Sequence, residues 1–265
     1  MIETRRACLE RVGGIRGVGL ELGAFMRPTV SEASDPGVEM RYLDFFTTEQ
    51  LREQAQKNGD DPDGVMPVDY VVAGEDYRSA IDRKFDFIIA NHVFEHIVNP
   101  IPWLQMLCDL LEPEGHLLLT IPDRTPRCFD RFRDTTSFAH LMWDYLSDLT
   151  HEQKAWVHAV ETNLYYDRAA ANLTVTPQQL LNIDNIKKAR HHPGVHCHVF
   201  LGATFLERIM KPMLYTRVVD FSLADYVPKS HWGEFYVVLR KGWTPFEFGL
   251  EEFYGQPLER PPREA

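Results

Sequence analysis

Residues able to do chemistry gather at a few points of this chain, each where an apolar run ends. Asn91-His92 follows Phe85–Ala90, a run that only Asp86 interrupts, and Glu95-His96 comes shortly after. Asp123 follows Leu117–Ile121 and Pro122. Glu21 and Gly23 close the run that begins at Gly17, Asp44 closes Val38–Asp44, and Asp69 lies within Pro67–Val72. His140 stands further on, before the segment His191-His-Pro-Gly-Val-His-Cys-His198, which holds four histidines in eight residues. Histidine titrates near neutrality and is the natural general base for a hydroxyl or amine. Carboxylates at such points accept hydrogen bonds from a ligand's hydroxyls or amino groups.

These residues need a scaffold that brings run ends together. A run apolar on both faces suits a strand buried between helix layers of a parallel sheet. Between Phe85–Ala90 and Leu117–Ile121, the residues Ile101, Leu104, Leu107 and Leu111 recur at helical spacing, with Asn99 and Pro102 as start signals. Glu112-Pro113-Glu114-Gly115 then turns the chain. Strand, helix and strand in this order make a right-handed crossover. Ligands of such sheets sit beyond the carboxyl ends of the strands, where Asn91, His92 and Asp123 stand.

This segment resembles the fourth-strand region of class I S-adenosylmethionine-dependent methyltransferases, with its Glu-His pair (Glu95-His96), Pro-x-Gly turn (Pro113-Glu114-Gly115) and Pro-Asp strand end (Pro122-Asp123). The resemblance covers roughly 17–145 and 195–241. It implies an α/β, Rossmann-like fold: a seven-stranded, mostly parallel sheet with an antiparallel last strand, plus a helical insertion after the fifth strand. Residues 1–241 would form the methyltransferase domain, with an insertion or lid at about 124–195, and 242–265 a C-terminal tail. The cofactor implied is S-adenosyl-L-methionine.

Its contacts would come from Glu21, Gly23, Ala24 and Phe25 on the first loop. Asp44 is expected toward the ribose, Asp69 near the adenine, and Asn91 and His92 at the fourth strand. Several of these residues have plainer readings. Gly23 can be a turn residue, Asp44 can cap the helix that follows, as can Thr47 or Thr48, and Asp69 can be a solvated acid. The first loop is poor in glycine, with Phe25 and Pro28 where further glycines often stand. A cofactor without a phosphate needs fewer of them, and the same lack counts against a nicotinamide dinucleotide.

Phe129-Asp-Arg-Phe-Arg-Asp-Thr-Thr136 is similar to a motif of bacterial methyltransferases found with glycosyltransferase and polysaccharide genes. In that subgroup Arg133 would clamp an acidic acceptor or tie the insertion to the core through Asp130 or Asp134. Leu146–Leu164 has helix formers, and Val175-Thr-Pro offers a second helix start. His196 and His198 could share a metal on an extended segment, yet no nearby acid or cysteine completes a recognisable ligand set, so no metal is expected. The base candidates are His196, His92 and His140, with His196 favoured because the insertion would deliver it to the pocket mouth. His96 is also a candidate, or packs in the first turn of the next element. The acceptor expected is a small-molecule or sugar- or glycan-linked hydroxyl. A scaffold without turnover and a nicotinamide-dependent oxidoreductase are the alternatives.

The net charge of −11 argues against nucleic acid or an anionic membrane as partner. Neither a spanning apolar run nor a signal-peptide core is present, and four scattered cysteines without a C-x-x-C pair fit a reducing compartment, so a cytoplasmic protein is expected. The sequence is silent on oligomeric state.

Overall fold

The computed structural model describes residues 4–126, 128–165 and 196–244. Its strands are β1 (Val18–Leu22), β2 (Glu39–Asp44), β3 (Tyr70–Val71), β4 (Phe85–Asn91), β5 (Leu111–Pro122), β6 (Phe221–Val227) and β7 (Glu234–Lys241). They form one seven-stranded sheet in the order β3-β2-β1-β4-β5-β7-β6. β1 to β5 pair in parallel, and β7 inserts antiparallel between β5 and β6. The expected fold is therefore the one observed. The strand order reverses between β1 and β4, which opens a crevice outside their carboxyl ends.

Both faces of the sheet are covered, which is why its central strands are mostly apolar. Along β4, Ile88 and Ala90 join the larger core with α3 (Pro100–Leu110), while Phe87 and Ile89 join the opposite core with Cys8 and Leu9 of α1 (Arg5–Arg11). Asp86, the polar interruption, accepts the backbone N–H of Val18 at 2.8 Å and so ties β4 to the start of β1. Glu112–Gly115 become an irregular stretch inside β5, with a register shift against β4 and Glu114 at φ 62°.

Two segments differ from expectation. The strand expected at 215–221 begins only at Phe221, because a helix runs through Lys211–Tyr215 and Arg217 adopts φ 56°, which no strand accommodates. The helix expected from Ala203 to Met210 is Gly202–Phe205 followed by a π-helical turn, Leu206–Met210, ahead of Pro212, which has no N–H for the ladder. After β5, α4 (Phe138–Leu146) and α5 (His151–Tyr165) break at Ser147–Thr150, where Thr150 and Gln153 cap each other. The second helix start at Val175, like His191 and His192, lies outside the described residues. No described helix is long and apolar enough to cross a membrane.

Candidate active site

Two cavities meet at the carboxyl edge of the sheet. The smaller, about 500 Å³, lies over the β1/β4 crevice against Gly23, Phe45, Phe46, Gly74, Asn91 and Val93, with His92 and His96 on one side. Gly23 is at φ 64°, and a Cβ there would meet nothing within 4 Å, so the backbone is presented bare to the cavity. The larger, about 760 Å³, is lined by Glu95, Asp123, Phe129 and His196 and by the β6–β7 turn, Lys229–Gly233. It shares His92 and His96 with the first.

The tips of β1, β4 and β5 are locked by a buried polar network. The Glu21 carboxylate accepts from the Thr29 backbone at 2.9 Å, from Thr29 Oγ1 at 2.9 Å and from Asn91 Nδ2 at 2.8 Å. Asn91 Oδ1 accepts from Thr120 Oγ1 at 2.6 Å. Burial raises the Glu21 pKa to about 7 against the lowering by the Thr29 hydrogen bonds. Glu21 is fully buried and holds the β1 loop from beneath rather than lining the cavity. Ala24 and Phe25 also lie off the lining. Phe25, at φ 47°, packs toward Leu51, Ala55 and Val65, and Ala24 toward the α1-side core.

Asp44 lies at the tip of β2, immediately before the cavity-lining Phe45 and Phe46. Burial raises its pKa, against hydrogen bonds from the backbone N–H groups of Phe46 and Phe45. The helix that follows, α2 (Thr48–Asn58), is capped by Thr47 in a capping box with Gln50, not by Asp44. Asp69 is elsewhere. It precedes β3, accepts from Tyr42 N at 2.8 Å and faces Arg41, in a separate depression beside Met66 and Pro67. The residues that β3 delivers to the cavity are Ala73, Gly74 and Glu75, beyond its carboxyl end.

The histidines separate clearly. His92, in a left-handed turn at φ 53°, lies 2.6 Å from Glu234 Oε2. Burial opposes charge on this ring, but the carboxylates of Glu234 and Glu95 outweigh it and raise the His92 pKa to about 9. Glu234, despite its burial, is lowered to about 2 by His92 and Arg5. Glu234 and Glu95 thus favour the charged form of His92, which cannot accept a proton. His196 Nδ1 lies 2.6 Å from Asp130 Oδ2, its ring 4.7 Å from His96 and 4.8 Å from Phe129. Burial pushes the Asp130 carboxyl up, yet His196 and Arg133 hold it below its ordinary value. Arg133 is spent on Asp130 Oδ1 and the carbonyls of His196 and Cys197, so it ties the chain rather than facing an acceptor. His140 does not line either cavity; it faces Asp144 and stacks on His158.

Sequence reasoning missed the β6–β7 turn, although Lys229-Ser-His-Trp-Gly between two terminal strands is the kind of loop that carries function. It also undervalued Glu95, which is 2% exposed, with neither carboxylate oxygen hydrogen-bonded. Glu95 Oε1 lies 3.6 Å from His92 Nδ1 and 3.8 Å from His96 Nε2, in the wall of the larger cavity. Bare backbone at Gly23 and the flanking rings of Phe45 and Phe46 fit S-adenosylmethionine in the smaller cavity.

A family model described as a methyltransferase domain matches residues 16–211. The chain belongs to this methyltransferase family. Its domain is of the S-adenosylmethionine-dependent kind. A curated relative, the mitochondrial ubiquinone biosynthesis O-methyltransferase of Arabidopsis thaliana, is 26% identical over 106 residues, 40% of this chain and 32% of that protein. The chain thus matches about a third of that relative's length. Among solved structures, a SAM-dependent methyltransferase from Aquifex aeolicus aligns at TM-score 0.45 and 12% identity, covering 91% of this chain and 90% of that one. The plantazolicin methyltransferase BpumL in complex with SAH aligns at TM-score 0.46 and 11% identity, covering 90% and 80%.

Proposed function

We propose that this domain methylates a hydroxyl of a small-molecule or sugar- or glycan-linked acceptor seated in the larger cavity. The observation that carries the reading is the junction of the two cavities at His92 and His96, beside the His196–Asp130 pair. When bound, S-adenosylmethionine supplies an electrophilic methyl group, and an in-line displacement needs its acceptor on the far side of that group. Gly23, Asn91 and Val93 would hold the cofactor, with Asp44 toward its ribose.

The Asp130 carboxylate only accepts, so it fixes the proton of neutral His196 on Nδ1 and leaves the Nε2 lone pair to take the acceptor proton. The His92 cation, fixed by Glu234, orients polar groups of the acceptor without removing protons. A sugar acceptor follows from the resemblance of 129–136 to the polysaccharide-associated subgroup.

Calorimetric titration with S-adenosylhomocysteine and with NADH is the first test. Binding of the former alone is expected. Dinucleotide binding would favour an oxidoreductase, and binding of neither a scaffold. Incubation with S-adenosylmethionine and a panel of hydroxylated sugars, read as S-adenosylhomocysteine release, then tests the acceptor class. Turnover only on amines or carbon acids would overturn the hydroxyl assignment.

A further inference from the structure

Beyond the two cavities, α4, α5 and the returning segment 196–201 enclose a second histidine cluster. His140 and Asp144 lie one turn apart on α4, His158 on α5, and His198 on the segment that comes back to the core. Asp144, His158 and His198 are each at most 1% exposed. Asp144 Oδ2 lies 3.4 Å from His140 Nε2, 3.2 Å from His158 Nε2 and 3.9 Å from His198 Nε2, and one ligand atom from each of the four residues fits within 4.8 Å. Four ligands at zinc bond lengths of about 2.0–2.1 Å stand roughly 3.3 Å apart in a tetrahedron. The observed spacings bracket that edge.

Hydrogen bonding accounts for the cluster only in part, through His158 Nε2 and Asp144 Oδ2 at 3.2 Å. His140 Nε2, Asp144 Oδ1, His158 Nδ1 and both nitrogens of His198 are buried without a hydrogen-bond partner. Leaving such groups unmade is costly, so a protein rarely gathers them without a common partner. A divalent ion at the centre would satisfy the atoms that converge on Asp144 Oδ2.

We infer that His140, Asp144, His158 and His198 bind one divalent transition-metal ion, zinc by ligand type, in a closed structural site. Three imidazoles and one carboxylate suit zinc far better than calcium or magnesium, which take oxygen ligands. Four protein ligands leave no position for substrate, so the ion fastens rather than catalyses. What it fastens is specific. It staples α4, α5 and His198 together, and His198 stands two residues from His196, the base proposed for the acceptor cavity. From the sequence no metal is expected, His196 and His198 being the pair without a completed ligand set. They belong to different clusters: His196 pairs with Asp130, while His198 faces Asp144.

The test uses the full chain without a polyhistidine tag, which would bring its own metal. Elemental analysis after dialysis should find one zinc per chain, and X-ray absorption of the native protein should show three imidazoles and one carboxylate oxygen at about 2.0–2.1 Å. Cobalt exchange should give the intense visible bands of tetrahedral coordination. His158→Ala should lose the metal, and His196→Ala should keep it. Folded native protein without stoichiometric metal and without cobalt uptake overturns the inference. Metal that follows His196 and not His158 also overturns it, and moves the ion to Glu95, His96 and His196, the other such trio among the described residues. The spectra need no variant, so a His158→Ala protein that fails to fold leaves the result decided.

Discussion

The two cavities at the sheet edge are built on opposite principles. The cofactor crevice presents bare backbone and apolar rings, with Glu21 buried beneath it as a strut for the β1 loop and Asn91 joining β1 to β5. The acceptor cavity presents titratable side chains, and they come from far apart in sequence: Asp123 after β5, His196 after the insertion, Lys229–Gly233 between β6 and β7. A cofactor shared by a family needs one fixed shape. An acceptor needs a chemistry, and long-range loops can change it without disturbing the sheet.

The largest expected effect separates the two sides at one residue. His196→Ala should lower turnover by about 10²- to 10⁴-fold, roughly 3–5 kcal/mol of barrier, and leave S-adenosylhomocysteine affinity within about twofold. Single-turnover rates and calorimetry on the same preparation measure both. His92→Ala should reduce turnover less and leave any acidic limb of the pH–rate profile in place, because a ring already protonated is not the base. If His92→Ala removes that limb and His196→Ala does not, the assignment of roles between the two cavities reverses.

On the cofactor side, Asp44→Ala should weaken S-adenosylhomocysteine by about 1.5–3 kcal/mol if the carboxylate meets the ribose. Acceptor KM should not move. An unchanged affinity would leave Asp44 a turn residue whose work is finished by the N–H groups of Phe45 and Phe46.

This contrast also explains what the sequence disclosed. β1, β2, β4, β5 and β7 were legible because strands packed between helix layers are rich in apolar residues, β2 by alternation, and local motifs mark their ends. Glu21 was found but placed in the wrong layer: spacing locates a residue on a strand tip and does not tell whether its side chain points into the crevice or under it. Asp69 failed for a related reason. β3 is two residues long, Tyr70–Val71, so the acid sits before the strand and not beyond it. The His196–Asp130 pair joins residues 66 apart, and no periodicity reports such a contact.

A smaller effect concerns the wall between the cavities. The His92 pKa is raised from 6.5 to about 9, so the stability this ring contributes is complete below about 6.5 and is lost as pH rises through about 9. Glu234 is lowered from 4.5 to about 2, and its contribution is present above about 4.5 and lost as pH falls through about 2. Both contributions are therefore complete between about 4.5 and 6.5, while the ion pair itself persists from about 2 to about 9. With 41% of the His92 side chain exposed, solvent screening keeps the alkaline loss to about 1 kcal/mol or less. Melting curves from pH 6 to 10 should show this loss in the native protein and a flatter profile in His92→Ala. Arg5 continues to pair with Glu234 in that variant, at 2.8 Å, so the acid is not left alone. Equal alkaline slopes would assign the titration to another group.

The smallest expected effect is the sharpest on the cofactor side. Asp69→Asn should leave S-adenosylhomocysteine affinity within about twofold, since its carboxylate holds the Tyr42 N–H and faces Arg41 outside the cavity. Asparagine keeps an acceptor oxygen for Tyr42 and loses only a part-exposed ion pair of 3.7 Å, so stability should fall by about 0.5 kcal/mol or less. The adenine end would then be met by Ala73, Gly74 and Glu75, and Glu75→Gln becomes the informative variant. Glu75 has other work: its Oε1 accepts the Val98 N–H at 2.7 Å and lies 3.2 Å from His151 Nε2. Glutamine preserves the first contact, so a drop in affinity without a drop in melting temperature isolates the second cavity-facing role. A tenfold loss on Asp69→Asn, about 1.4 kcal/mol, would instead return the adenine to the far side of β3 and break the division between struts and lining on which the crevice is read.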